Sequence, residues 1–125
     1  MIVRSWRSEF DPSRSNELER LETESLHMWN RQPGFVSVLF TRSGPANAVT
    51  LSVWEDQKSI DALKDSTGYI DFMKKLQDSG ILKGPSTEDV FEVKGGYLPS
   101  GVDHRVYGKD RVSVSIPEAQ LRANG

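Results

Sequence analysis

Polar and apolar residues alternate singly from Ile2 to Phe10, with Ile2, Arg4, Trp6, Ser8 and Phe10 on one side and Val3, Ser5, Arg7 and Glu9 on the other. A period of two predicts a strand. Asp11-Pro12 then stops it: the Asp11 carboxylate can accept from the free N–H groups of a following helical turn, and Pro12 suits its first position. From there to about Arg31 the pattern is helical. At 100° per residue, Leu18, Leu21, Ser25, Met28 and Trp29 fall within a stripe about 100° wide, and Glu17, Arg20, Thr23, Glu24 and His27 fall outside it. One face of this helix is predicted buried. Gln32-Pro33-Gly34 ends it, because proline cannot continue a helix and glycine can take the backbone angles that turn the chain.

Two strand patterns follow, Phe35 to Arg42 and Ala48 to Trp54, joined by the turn-rich Ser43-Gly44-Pro45-Ala46-Asn47. That arrangement predicts an antiparallel hairpin. Glu55-Asp56 caps a short helix carrying Ile60 and Leu63. Ser66 or Thr67 opens a longer one, in which Tyr69, Phe72, Met73 and Leu76 share a face up to Gly80. After Lys83-Gly84-Pro85, Asp89 to Lys94 alternates as a fourth strand, closed by Gly95-Gly96. The order β-α-β-β-α-β is the split βαβ pattern of an α+β, ferredoxin-like domain, predicted over residues 1–98. Residues 99–125 are predicted to be a C-terminal extension. His104 to Tyr107 and Arg111 to Ile116 are strand-like runs around Gly108-Lys109-Asp110, a hairpin arm that can contact a partner subunit, and a polar tail begins at Pro117.

A sheet with two helices on one side and water on the other has one mainly polar face. Neither face is polar here. Val49, Leu51 and Val53 point opposite to Thr50, Ser52 and Trp54, while Val36, Val38 and Phe40 oppose Ser37, Leu39 and Thr41. With helices over one face, a second copy packed sheet to sheet covers the other, so a homodimer is expected, the alternative being that residues 99–125 fold over that face.

At 125 residues the chain suffices for one core. The hydrophobic content of 36% and charged content of 27% exclude a disordered chain. Against 18 Asp and Glu stand 16 Lys and Arg, scattered rather than striped, which argues against nucleic acid as a partner. The absence of cysteine removes disulfides, thiolate metal ligands and cysteine nucleophiles together. The N-terminus lacks the apolar run of a signal peptide and no stretch reaches membrane-spanning length, so the expected setting is the cytoplasm, away from membranes.

Two distant histidines, His27 and His104, supply no spacing for a metal site, and no glycine-rich loop follows a strand as a nucleotide cofactor requires. No flanked serine elbow is present either. His27 is expected on the solvated side of its helix, which leaves it a poor general base. Arg4 and Trp6 share a strand face and can steady an anionic or enolate oxygen, although an interface salt bridge is the simpler role for Arg4. Trp54 either anchors the core or lines a cavity. An apolar space between helices and sheet, with Trp6, Trp54, Tyr69, Phe72 and Met73 around it and Arg4, Ser52 and the Tyr69 hydroxyl as polar points, has the make-up of a site for a small apolar or aromatic ligand. No catalytic residue is singled out.

Pro33-Gly34-Phe35 after a long helix, followed by Val49-Thr50-Leu51-Ser52-Val53-Trp54-Glu55 leading into helical Ser59 to Leu63, resembles the antibiotic biosynthesis monooxygenase superfamily. The resemblance covers roughly residues 1–98. It implies a ferredoxin-like domain that dimerises into an α+β barrel, and activities that include oxidation of aromatic phenols by dioxygen without a bound cofactor, action on quinols, and haem degradation.

The departures from the family's patterns narrow this range. At the positions aligned with the haem-degrading histidine and tryptophan stand Met73 and Leu63, and no Asn lies between Met1 and Phe10, which disfavours that route. Where aromatic-polyketide oxidisers carry an amide and a phenol around the strand-end tryptophan, this chain has Thr50 and Ile60, so only Trp54 matches. The resemblance therefore implies a cofactor-independent monooxygenase acting on a small aromatic or quinol. The alternative is a noncatalytic ligand-binding or stress-related homodimer of the same fold.

Overall fold

The computed structural model describes residues 1–96 and, by backbone alone, the strands Val106–Tyr107 and Arg111–Val112. Strand β1 runs Ile2–Glu9. Asp11 caps a 3-10 turn at Pro12–Arg14 by accepting from the Ser13 N–H. Helices α1, Ser15–Glu24, and α2, Leu26–Asn30, follow, then β2, Phe35–Arg42, and β3, Asn47–Trp54. Next come α3, Gln57–Lys64, α4, Thr67–Ser79, and β4, Thr87–Glu92. The sheet order is β2-β3-β1-β4, with all three pairings antiparallel. This is the predicted α+β, ferredoxin-like arrangement.

Two expectations need correction. The first long helix is divided at Ser25, whose hydroxyl donates to the Glu22 carbonyl at 2.6 Å and accepts from Trp29 Nε1 at 3.1 Å. A serine that bonds its own helix backbone competes with the regular ladder, and here it also aims the Trp29 indole inward. The fourth strand begins at Thr87 and ends at Glu92, two residues earlier at each end than its alternation suggests, because Thr87 already pairs with Arg7 of β1.

Buried residues form two clusters on the helix side of the sheet. One holds Phe10, Leu18, Leu21, Ala48, Leu76 and Ile81, and the other Trp29, Val38, Trp54, Ile60, Leu63 and Tyr69. Full burial of side chains of this size contributes about 1.5–3 kcal/mol each. The α2–β2 connection depends on Gly34. Its φ of 75° lies in the left-handed region, and a Cβ there would collide with the Ser59 hydroxyl of α3. Its carbonyl also accepts from the Glu55 N–H at 2.9 Å, tying the turn to the end of β3.

The other sheet face carries Val3, Leu39, Leu51, Val53 and Phe91 in register. Leu39 and Phe91 are 56% and 54% exposed there. Residues beyond Val93 form a separate unit, Lys94–Gly125, in which β5, Val106–Tyr107, pairs antiparallel with β6, Arg111–Val112. The pairing matches the expected hairpin, while His104, the rest of the two runs and the tail from Pro117 lie outside the described residues.

Candidate functional site

Even-numbered residues of β1 and β3 face the helices, which turns Arg4, Trp6 and Thr50 toward α1, α2 and α4. Between these layers lies a cavity of about 420 Å³, counting its open mouth. Its enclosed part holds little more than a water molecule. Among the residues lining it are Arg4, Trp6, Glu22, Tyr69, Phe72 and Met73. Five of the seven residues singled out from the sequence therefore meet at one space. Ser52 and Trp54 do not line it: both are buried, and Trp54 Nε1 donates to Ser52 Oγ at 2.8 Å. Trp54 instead packs 5.6 Å from Phe35 and 6.2 Å from Trp29, centroid to centroid, as an aromatic anchor behind the cavity.

Arg4 is 3% exposed and its pairing is internal, in contrast to the expected interface salt bridge. Its Nε donates to Glu88 Oε2 at 2.7 Å and its Nη2 to the Tyr69 hydroxyl at 2.8 Å. The guanidinium also sits 5.5 Å from the Tyr69 ring centroid. The cause is register: β4 pairs with β1 so that Glu88 lies opposite Trp6, one position along the helix-facing row from Arg4. Glu88 also accepts from Lys64 Nζ at 2.9 Å. Burial alone would raise its carboxyl, but the bonds from Lys64 and Arg4 outweigh this and hold it below the ordinary value.

The sequence reading overlooked Glu22. It lies on α1, 5% exposed, and lines the same cavity. Arg42 Nη1 and Nη2 donate to its two carboxylate oxygens at 3.0 and 2.6 Å. Burial nevertheless pushes its carboxyl above the ordinary value, and the Arg42 fork offsets this only in part. The signal was present in the sequence, since Glu22 follows Leu21 and lies one turn after Leu18, at the edge of the buried stripe. His27 is exposed, as its helical phase predicts. Thr50 lines the cavity and Ile60 is wholly buried, so neither supplies the amide or phenol that the family pattern carries. Among the described residues no group of three potential metal ligands occurs, and no helix is long and apolar enough to cross a membrane.

The domain thus places a mostly apolar cavity between its sheet and the helices that cover one face of it. Its fold is that of the antibiotic biosynthesis monooxygenases, which the sequence resemblance anticipated. A protein of unknown function from Nitrosomonas europaea superposes with a TM-score of 0.68 at 18% identity, over 80% of this chain and 95% of that one. SnoaB, a cofactor-independent oxygenase from Streptomyces nogalater, does so with a TM-score of 0.62 at 19% identity, over 76% and 94%. A second Nitrosomonas europaea protein, provisionally described as an antibiotic biosynthesis monooxygenase, gives 0.65 at 14% identity, over 76% and 100%. At these identities the likeness is one of fold. No family model matches the sequence, and no curated protein gives a significant match.

Proposed function

We propose that the protein is a cofactor-independent monooxygenase that oxidises a small aromatic or quinol with dioxygen. The observation that carries the reading is the apolar cavity with the Arg4 guanidinium in its wall, held by Tyr69 and Glu88. A phenol bound there loses its proton, and the anion, steadied by Arg4, passes one electron to dioxygen. The resulting radical and superoxide combine to a peroxide. Loss of water from it leaves one oxygen atom in the product as a carbonyl and the other in water. SnoaB, of the same fold, is described as cofactor-independent, which supports doing this chemistry without metal or flavin. In this reading Arg4, Trp6, Tyr69, Phe72 and Met73 bind substrate, and Ser52 and Trp54 support the wall from behind. The test is oxygen uptake by the purified chain with hydroquinones and phenolic polycycles. Chelator-insensitive uptake that yields a product labelled from oxygen-18 gas supports it, and no uptake with any of them refutes it.

A second reading is favoured by the narrow enclosed space and by Thr50 and Ile60 at the amide and phenol positions. Here the same fold is a noncatalytic ligand-binding or stress-related homodimer. Ligand binding without oxygen uptake distinguishes it.

Both readings are of a homodimer that covers the apolar sheet face, with more than about 2,000 Å² buried in total, as in obligate interfaces. Residues 1–98 form the monooxygenase-like domain and 99–125 an extension. Its Val102, Val106, Val112, Val114 and Ile116 supply apolar groups for an arm on the partner. Deletion of residues 99–125 weakens the dimer if the arm is real and leaves it unchanged otherwise.

A further inference from the structure

Glu22 is a buried acid that the reaction above leaves without a role. Its side chain is 7% exposed, and it shares the cavity wall with Arg4, Trp6, Thr50 and Tyr69. Each of its oxygens accepts one bond from Arg42, which leaves each a further acceptor position. The two-pronged geometry fixes the plane of the carboxylate. Arg42 is itself held, because Nη1 also donates to the Thr41 carbonyl at 3.0 Å and its guanidinium lies 5.2 Å from the Phe10 ring centroid. A carboxylate in a mostly apolar wall is costly to bury, and a hydrophobic pair of the same volume would fill this space as well or better.

We propose that Glu22 is the proton acceptor of the cavity, recognising and deprotonating the hydroxyl of a bound phenol or hydroquinone, with Arg42 as its positioning residue. In the step, the substrate O–H bond breaks and the proton moves to a Glu22 oxygen. The electron pair stays on the phenolate oxygen, so the charge of the site is unchanged. The charged and titratable groups facing this carboxylate are Arg42 from β2, Glu19 from its own helix, and Arg4 and Tyr69 across the cavity from β1 and α4. Burial and Glu19 favour the protonated acid, while Arg42 favours the anion. Arg4 stabilises the phenolate formed. Substrates are therefore phenols made acidic by a conjugated carbonyl or a fused ring, whose proton affinity lies nearest that of a desolvated carboxylate. The proposal deepens the oxygenase reading and rests on it for the reaction, but hydroxyl recognition is testable without any oxidation.

The experiment compares 4-methylphenol with its methyl ether as probes, read by quenching of tryptophan fluorescence in the full chain. The wild type is expected to bind the phenol about tenfold or more tightly than the ether, the worth of a hydrogen bond to a charged acceptor. This preference should weaken as the carboxyl is protonated, a pH dependence that a purely structural ion pair would not impose. The double variant Glu22→Leu with Arg42→Met removes both charges at similar volume and so protects the fold, and it should bind both probes equally. No preference in the wild type, or an unchanged preference in the double variant, overturns the proposal. Where oxygen uptake is found, Glu22→Gln should lower kcat about 10²-fold with little change in KM. Uptake that is indifferent to Glu22→Gln overturns the proton acceptor and leaves the oxygenase standing. A Glu22-dependent preference for the phenol without uptake upholds the hydroxyl site and removes the oxygenase.

Discussion

The Tyr69 hydroxyl accepts a 2.8 Å hydrogen bond from Arg4 Nη2, and its ring lies beneath the same guanidinium at 5.5 Å. One side chain on α4 thus orients the cation of β1 by two different interactions. Tyr69→Phe keeps the ring and removes the acceptor. The expected loss is about 1.5–3 kcal/mol in urea unfolding, the range for a hydrogen bond to a charged group, together with weaker binding of phenols. Unchanged stability would show that the Arg4–Tyr69 bond does not hold the guanidinium.

Trp54 is fully buried, bonded to Ser52, and outside the cavity wall. Trp54→Phe removes ring volume and leaves the Ser52 hydroxyl without its donor, so about 2–3 kcal/mol of stability should be lost. Phenol affinity should stay within about twofold of wild type. A large fall in affinity in a folded variant would place Trp54 in the site after all.

Gly34→Ala meets two obstacles, a φ of 75° and the Ser59 hydroxyl. The expected destabilisation is about 2–4 kcal/mol, larger than the ordinary left-handed penalty of about 1–2 kcal/mol. Adding Ser59→Gly clears the collision but not the dihedral strain, so it should restore part of the loss in thermal unfolding. No rescue would mean that the close approach to α3 is not the dominant cost.

Glu22 and Glu88 should affect stability with opposite signs as pH changes. The folded carboxyl of Glu22 is raised above its ordinary 4.5, so its favourable contribution is present below that value and lost as pH rises through the folded one. Relative to Glu22→Gln, whose amide mimics the protonated acid, wild type should therefore lose stability as pH rises from acid to neutral. Glu88 is lowered from 4.5, so its contribution is present above that value and lost as pH falls through the folded one. Glu88→Gln should be less stable than wild type at neutral pH, converging in acid. Chemical denaturation across pH checks both.

The outer sheet face, centred on Leu51 with Leu39 and Ser5 opposite it in the neighbouring strands, is the surface that the proposed homodimer would bury. Leu51→Glu should leave the fold intact and shift sedimentation from dimer to monomer at micromolar concentration, since an unpaired buried charge at an interface is costly. A wild-type monomer at that concentration would refute the dimer outright.

The sequence alone determined the element order, the caps at Asp11, Asp56 and Gly80, the hairpin between Phe35 and Trp54, and the apolar character of both sheet faces. These are local matters, settled by alternation, helical phase and turn residues within a few positions of one another. The break at Ser25 came from a side chain competing with its own backbone, and the start of β4 came from pairing with Arg7, neither of which a period reveals. The site divides in the same way. Arg4, Trp6, Tyr69, Phe72 and Met73 were legible because facing apolar patterns point their residues into one layer. Only the tertiary structure moved Ser52 and Trp54 behind the cavity, gave Arg4 its partner in Glu88, and set Glu22 against Arg42 across a separation of 20 positions. The physical reason is that an ion pair is fixed by where two distant backbones cross, whereas a charged residue in the sequence carries no mark of the partner that allows it to be buried.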